Sequence, residues 1–335
     1  GSVAGGGWDE LSFPFEHFDF YQSFVAVHGK SRTWDETPFY QRVLGDIRAG
    51  KAKWGCRSRD QLDQRLVHLQ ELFESIGRFG FVPNHSDDQI RVDIGRDGDL
   101  LFADGRHRLT FAKIHRLDRI PIAIGIRHRL WANFKRQIVR YAMRNRGQVY
   151  APILHPDLDS IRAQHGHKRF ELIRQNLISR GGRMLDIGCH WGYFCHQFEL
   201  LGYQCTGVEA SSQNFYFLKK LRRASRRSFE IAKISIFEFA EAENREYDVV
   251  LALSIFHHFV KTESGLANLK RLLSGLNARE IFFMPHMTSE PQMIHAYWNP
   301  GESEFINFIL DNSCFVEAAL IGHEDDGRPL YRLNR

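Results

Sequence analysis

No apolar run in this 335-residue chain reaches the roughly 20 residues that a membrane-crossing helix requires. The N-terminus also lacks a basic region, an apolar core and a small-residue cleavage site, so a cytoplasmic location is expected. Cysteine is scarce. Cys56, Cys189, Cys195, Cys205 and Cys314 are odd in number and hold no C-x-x-C pair, which argues against a disulfide framework and a zinc site; no metal is expected. Three of them, Cys189, Cys195 and Cys205, fall close together, where a small apolar thiol is packing material rather than chemistry. A large excess of one charge is missing too. The formal net charge is +5, so electrostatics do not demand a polyanionic partner, and nucleic acid is not the expected one.

What remains is an ordinary globular composition, 43% hydrophobic and 25% charged. The length suits about two domains at roughly 100–200 residues each. GSVAGGG at the start reads as a cloning remnant, so residues 1–10 are expected to be a disordered start outside the fold. A first domain is expected over 11–146, a linker over 147–157, which contains Pro152 and Pro156, and a second domain over 158–335. Basic character sits in the first half: Arg91 to Arg146 holds 14 Lys and Arg against 5 Asp and Glu.

Residues 8–40 are rich in Phe, Tyr and Trp without clear periodicity and read as an arm. Arg57 to Arg78 reads as a helix, because Leu62, Leu66, Leu69, Leu72 and Phe73 recur at three- and four-residue spacing and Gly80 follows. Ile90 to Ile94 and Leu100 to Ala103 form a hairpin around the Gly95 to Gly98 turn, and Ile120 to Ile126 is a further strand. Leu130 to Met143 reads as an amphipathic helix with Trp131, Phe134, Ile138 and Ala142 on its apolar side and Lys135, Arg136 and Arg140 on a solvated one.

Between these strands, Asp104-Gly105-Arg106-His107-Arg108 leads from a strand into the helix Leu109 to His115. A basic cluster at a glycine turn that opens a helix suits an anion, since backbone donors and guanidinium forks converge there. The stretch ADGRHRLTFAKIHRLDRIPI resembles the phosphate-gripping box of the ParB and sulfiredoxin-like superfamily over roughly residues 85 to 130. The resemblance implies an α+β module that binds a nucleotide such as a nucleoside triphosphate, with Gly105, Arg106, His107 and Arg108 as phosphate contacts.

In the second half, Leu158 to Ile178 reads as a helix, and Met184 to Gly192 (MLDIGCHWG) as a buried strand running into a glycine turn, with a helix from Tyr193 to Leu201. Gly188 and Gly192 allow close backbone approach, and the helix start favours a polar or anionic ligand. Strands and helices then alternate: Cys205 to Glu209, Gln213 to Arg223, Phe229 to Ile234, Asp248 to Leu253, Gly265 to Leu276, Glu280 to Met284 and Glu302 to Leu310. Two strands close the chain, Phe315 to Gly322 and Pro329 to Leu333. The pattern predicts a mostly parallel sheet with an antiparallel edge and a ligand at the carboxyl ends of its strands. Glu209 stands about 20 residues past the glycine turn, where a carboxylate reaches ribose hydroxyls.

Glycine turn and acid leave NAD and S-adenosylmethionine open. The turn is DxGxxxG, and His190 would crowd a pyrophosphate. With Asp186 before it, YDVVLALSIFHHF on the fourth strand and the closing strand pair, residues 160 to 335 resemble a class I S-adenosylmethionine-dependent methyltransferase of Rossmann-like α/β fold. The resemblance implies Asp186, Gly188 and Gly192 at the cofactor turn, Glu209 on the ribose, Ile234 and Ser235 near the adenine, and Leu253 and Ser254 lining the site. His190 lies close to the expected methyl position and is a candidate substrate contact.

A neutral hydroxyl acceptor needs a base, and histidine titrates in the right range. His257 and His258 after the fourth strand and His286 after the fifth are the catalytic candidates, with His295 a more distant one. The FHHF exit also resembles methyltransferases that modify polysaccharide chain ends, some fused to a kinase. The expectation is an O-methyltransferase acting on a sugar, glycan or related small metabolite. The alternatives are sequential phosphorylation and methylation of a glycan end, and a nucleic-acid-binding or regulatory protein.

Overall fold

The aromatic stretch near the N-terminus, expected as an arm, folds into helices: α1 (Asp19–His28) and α2 (Pro38–Arg48) bury Phe20, Phe24, Phe39 and Tyr40. Phe20 and Phe24 are one helical turn apart, a periodicity hidden by the density of neighbouring aromatics. Thr37 starts α2 by accepting the Tyr40 N–H at 3.3 Å. α3 (Arg59–Phe79), capped by Ser58, completes this core with Leu62, Leu66, Leu69 and Phe73. The computed structural model describes residues 1–10, 13–81, 89–242 and 245–335. The first residues of the stretch expected to be ParB-like, 85–88, and of the expected first domain, 11–12, lie outside the described residues.

A four-stranded sheet accompanies these helices in the order β1-β4-β2-β3. β2 (Ile90–Ile94) and β3 (Leu100–Asp104) are antiparallel, α4 (Arg106–Ile114) follows, and β4 (Ile122–His128) runs parallel to β2. The start of the chain corrects the expectation of disorder, because β1 (Ser2–Ala4) pairs with β4. Arg96 anchors this segment. Its Nη2 and Nε meet the Asp9 carboxylate at 2.7 and 3.0 Å, and these bonds hold the Asp9 pKa down to about 2.

The chain divides into two units after Asn133, inside α5 (Arg129–Arg144) and not at the expected 146/147 boundary. From Phe134 onward the helix belongs to the second unit. Phe134 and Tyr141 each pack a ring 5.9 Å from that of Phe217, and Lys135 pairs with the buried Asp157 at 2.8 Å rather than facing solvent. The expected linker is also part of the fold. Val149 donates to the Arg162 carbonyl and accepts from the Gln164 N–H, and Val149, Ile153 and Leu158 are buried. Because residues 162–164 exchange their backbone bonds with residue 149, the helix expected over 158–178 shrinks to α6 (Lys168–Gln175).

The second unit is a seven-stranded sheet, in sequence β5 (Gly182–Ile187), β6 (Tyr203–Val208), β7 (Glu230–Ala232), β8 (Tyr247–Leu253), β9 (Ala278–Met284), β10 (Glu317–His323) and β11 (Pro329–Asn334). Its spatial order is β10-β11-β9-β8-β5-β6-β7, parallel except for β11. The antiparallel strand is therefore one place in from the edge, between β9 and β10. The helices are α7 (Tyr193–Leu200), α8 (Ser212–Ala224), α9 (Ile236–Ala242), α10 (Glu263–Gly275) and α11 (Glu302–Asp311); α9 has no counterpart in the sequence expectations. β8 and β9 bear helices on both faces, which is why they read as nearly unbroken apolar runs. Glu280, fully buried in β9, accepts the N–H groups of Ile178 and Ser179. No helix among the described residues is long and apolar enough to cross a membrane.

From β5 the chain winds outward through β6 to β7, then returns to place β8 on the other side of β5. The β5/β8 boundary is thus a topological switch point, where α/β sheets open a crevice at the carboxyl ends of their strands.

Candidate active site at the sheet switch point

At the end of β5, Gly188 takes φ +71°, and the N–H groups of Gly188 and Cys189 both donate to the Val208 carbonyl, at 2.9 and 3.0 Å. A side chain at Gly188 would come within 2.7 Å of Ile255 Cδ1, so only glycine fits this turn. His190 follows at φ +52°, and its N–H donates to Glu209 Oε2 at 2.9 Å while the Ser211 N–H donates to Oε1 at 2.7 Å. One carboxylate at the end of β6 thereby holds the turn after β5. His190 and Ser254 (φ +54°) are non-glycine residues in the left-handed region, and both line the crevice. Such conformations cost on the order of 1–3 kcal/mol each and persist where the surroundings over-determine them.

The crevice encloses about 460 Å³. Glu209 forms one wall, Ile234, Ser235, Ile236 and Phe237 another, and Ser254, His257 and His258 the far side. A smaller chamber of about 40 Å³ adjoins it, sharing Tyr150, Gly188, His190 and Leu253 with the crevice and containing Asp186 and Arg169. Arg169 is buried, with its Nε 3.1 Å from Glu324 Oε2 and its guanidinium over the rings of Tyr150 and Phe194 at 5.3 and 5.6 Å.

Burial dominates the electrostatics. It pushes the Asp186 carboxyl up to about 7 and raises Glu209, the latter opposed by the N–H groups of Ser211 and His190. It lowers His165 and His190 to about 4 and His257 to about 3, so these rings are neutral at pH 7. His258 is exposed and also lies below its ordinary value, through desolvation and then Lys261. Arg328 is the arginine of the crevice wall, held by Ser254 Oγ at 3.3 Å and Glu290 at 3.4 Å.

Gly188, His190, Glu209, Ile234, Ser235, Leu253, Ser254, His257 and His258 thus share one crevice, and Asp186 lies in the adjoining chamber. Gly192, expected at the cofactor turn, is absent from both walls; it starts α7 at φ +81°, packed against Leu218. His286 stands behind the wall, its ring 5.8 Å from that of His257, and His295 is exposed outside it. Gly105, Arg106, His107 and Arg108 belong to the other unit. Sequence reasoning missed Tyr150, His165, Arg169 and Arg328. None sits in a periodic segment that marks it, and only the burial of Arg169 singles it out.

Residues 185–275 match the family model described as a methyltransferase domain. The O-antigen chain terminator bifunctional methyltransferase/kinase WbdD of Escherichia coli is 27% identical over 201 residues, 55% of this chain and 27% of that protein. A ubiquinone biosynthesis O-methyltransferase of Bradyrhizobium sp. (strain ORS 278) is 34% identical over 92 residues, 27% of this chain and 36% of that one. Among solved structures, the bifunctional kinase-methyltransferase WbdD aligns with a TM-score of 0.48 and 24% identity, covering 58% of this chain and 46% of that one. The chain spans about a quarter to under half of the curated relatives it matches. The residues that match the methyltransferase-domain model lie wholly within the second unit.

Proposed function

We propose that the chain is an S-adenosylmethionine-dependent O-methyltransferase acting on a sugar, glycan or related small metabolite. The observation that supports this is the pair of adjoining cavities at the switch point, whose walls offer charged, carboxylate and apolar groups for the amino-acid end, ribose and adenine of such a cofactor. Asp186 and Arg169 would take the ammonium and carboxylate, Glu209 the ribose hydroxyls, and Ile234 with Ser235 the adenine edge. When bound, the cofactor supplies an electrophilic methyl group on a sulfonium. The chain's own part is to align the acceptor oxygen with that carbon and to receive the hydroxyl proton on a histidine that is neutral at pH 7, His257 or His258. His190 and Ser254 shape the wall where acceptor and cofactor meet. The glycan class draws support from WbdD, described as an O-antigen chain terminator.

Asp186 makes binding pH-dependent. Its pKa in the folded protein, about 7, exceeds the ordinary value of 3.8. This stabilising protonation is fully present below about pH 4 and is lost as pH rises through 7. A bound ammonium favours the carboxylate, so binding releases a proton. Calorimetry with S-adenosylhomocysteine is expected to show affinity rising by up to about tenfold per pH unit from pH 5 toward 7 and levelling above it. No binding at any pH would contradict the cofactor assignment.

The first unit supplies a second proposed site, for a phosphate-bearing ligand. Gly105 opens α4 at φ +90°. His107, half-buried, is held down to about 4 by desolvation and then by Arg106, Arg65 and Arg108. Arg65 from α3 lies over the Trp54 ring at 4.9 Å, and Trp54 packs against His107 at 4.9 Å. This cluster favours, as a second reading, a chain that phosphorylates its acceptor and then methylates it. ATP is expected to bind wild type and to lose at least about tenfold in affinity in Arg106→Ala with Arg108→Ala. Equal affinity in both would remove the site, and no label passing from ATP to a glycan acceptor would remove the kinase reading.

A further inference from the structure

His257 lines the crevice just after β8, is buried, and has no hydrogen-bond partner on either ring nitrogen among the described residues. Orphaned buried polar atoms are costly, so the ring calls for a partner that arrives or tightens during function. Behind it stands His286, with ring centroids 5.8 Å apart. His286 Nε2 is 2.8 Å from Asn299 Oδ1, while Asn299 Nδ2 donates to the Thr288 carbonyl at 3.1 Å. A carbonyl only accepts, which orients the amide with nitrogen toward Thr288 and oxygen toward His286. Facing an amide oxygen, His286 Nε2 must carry the hydrogen. In the neutral ring, Nδ1 is then a bare acceptor, and that atom is buried without a partner among the described residues.

We propose that Asn299 and His286 are positioning residues for His257: the bare Nδ1 of His286 receives an N–H from His257 and leaves the other His257 nitrogen unprotonated toward the crevice. The gap between the rings is one that a small side-chain shift or a single water closes. The proposal rests on the O-methyl transfer reading. As the new carbon–oxygen bond forms and the sulfonium carbon–sulfur bond breaks, the hydroxyl proton passes to His257. The resulting imidazolium keeps its second N–H on His286. Of the groups acting on His257, burial, His258, His286 and Lys261 oppose its protonation, and Glu290 favours it. An acceptor atom at His286 Nδ1 offsets that opposition when the proton arrives.

Long-range proton–nitrogen NMR on the ¹⁵N-labelled full chain with S-adenosylhomocysteine reads the tautomer of each ring. His286 is expected to be protonated at Nε2 alone. Asn299→Asp, still an acceptor, keeps that state, whereas Asn299→Leu loses the single tautomer and shifts the His257 nitrogen signals with it. Wild-type His286 protonated at Nδ1 overturns the proposal, as do His257 signals unmoved in Asn299→Leu. The wild-type measurement decides the matter even where a variant misfolds. Failure of the wild type to bind S-adenosylhomocysteine overturns the methyl-transfer reading instead, and so separates the two.

Discussion

Glu209→Ala is expected to lose S-adenosylhomocysteine affinity by about a hundredfold or more in calorimetry. Two contributions add. In the proposed site the carboxylate would accept from the cofactor's ribose hydroxyls, and a hydrogen bond to a charged group contributes about 1.5–3 kcal/mol. The same carboxylate holds the His190 N–H at 2.9 Å and the Ser211 N–H at 2.7 Å, so its removal also frees a turn whose His190 sits at φ +52°. Glu209→Gln keeps one acceptor oxygen and should fall between the two. An alanine variant with native secondary structure and unchanged affinity would take Glu209 out of the cofactor site.

Arg169→Ala is expected to destabilise the second unit by about 3–5 kcal/mol, the usual cost of removing one partner from a buried ion pair. The Arg169 and Glu324 side chains are 1% and 2% exposed. Without the guanidinium, Glu324 is left as a buried charge, and the cation stacked on Tyr150 and Phe194 is gone. Hydrogen exchange of the β8 and β9 amides, which lie at the centre of the sheet, reports this loss. The double variant Arg169→Met with Glu324→Leu should recover most of the stability without recovering S-adenosylhomocysteine affinity, because the proposed anchor for the cofactor's carboxylate stays absent. Recovery of both would make Arg169 a purely structural residue. A single variant within about 1 kcal/mol of wild type would show that solvent reaches the pair.

Local pattern carried much of this fold. The apolar runs of β8 and β9, the glycine turn after β5 and the acid at Glu209 are short-range features, because side-chain period and turn chemistry act over a few residues. They suffice for an alternating α/β domain and for the residues that meet at its switch point. Where rings crowded the pattern, as in α1, or where the element was short, as in α9 and β1, periodicity had too few positions to register.

What tertiary structure alone decided lies in the segments that close over the sheet. Tyr150 and His165 come from a stretch read as linker and helix, and Arg169, Glu324 and Arg328 from a short helix and a hairpin turn. Their convergence depends on long-range backbone bonds, such as those of Val149 with Arg162 and Gln164, and on pairing buried charges across 155 residues of chain. The same holds for the Asn299, His286 and His257 series: each histidine was visible as a candidate beside the fourth and fifth strands. Only the Thr288 carbonyl, by orienting one amide, settles which nitrogen of His286 is bare.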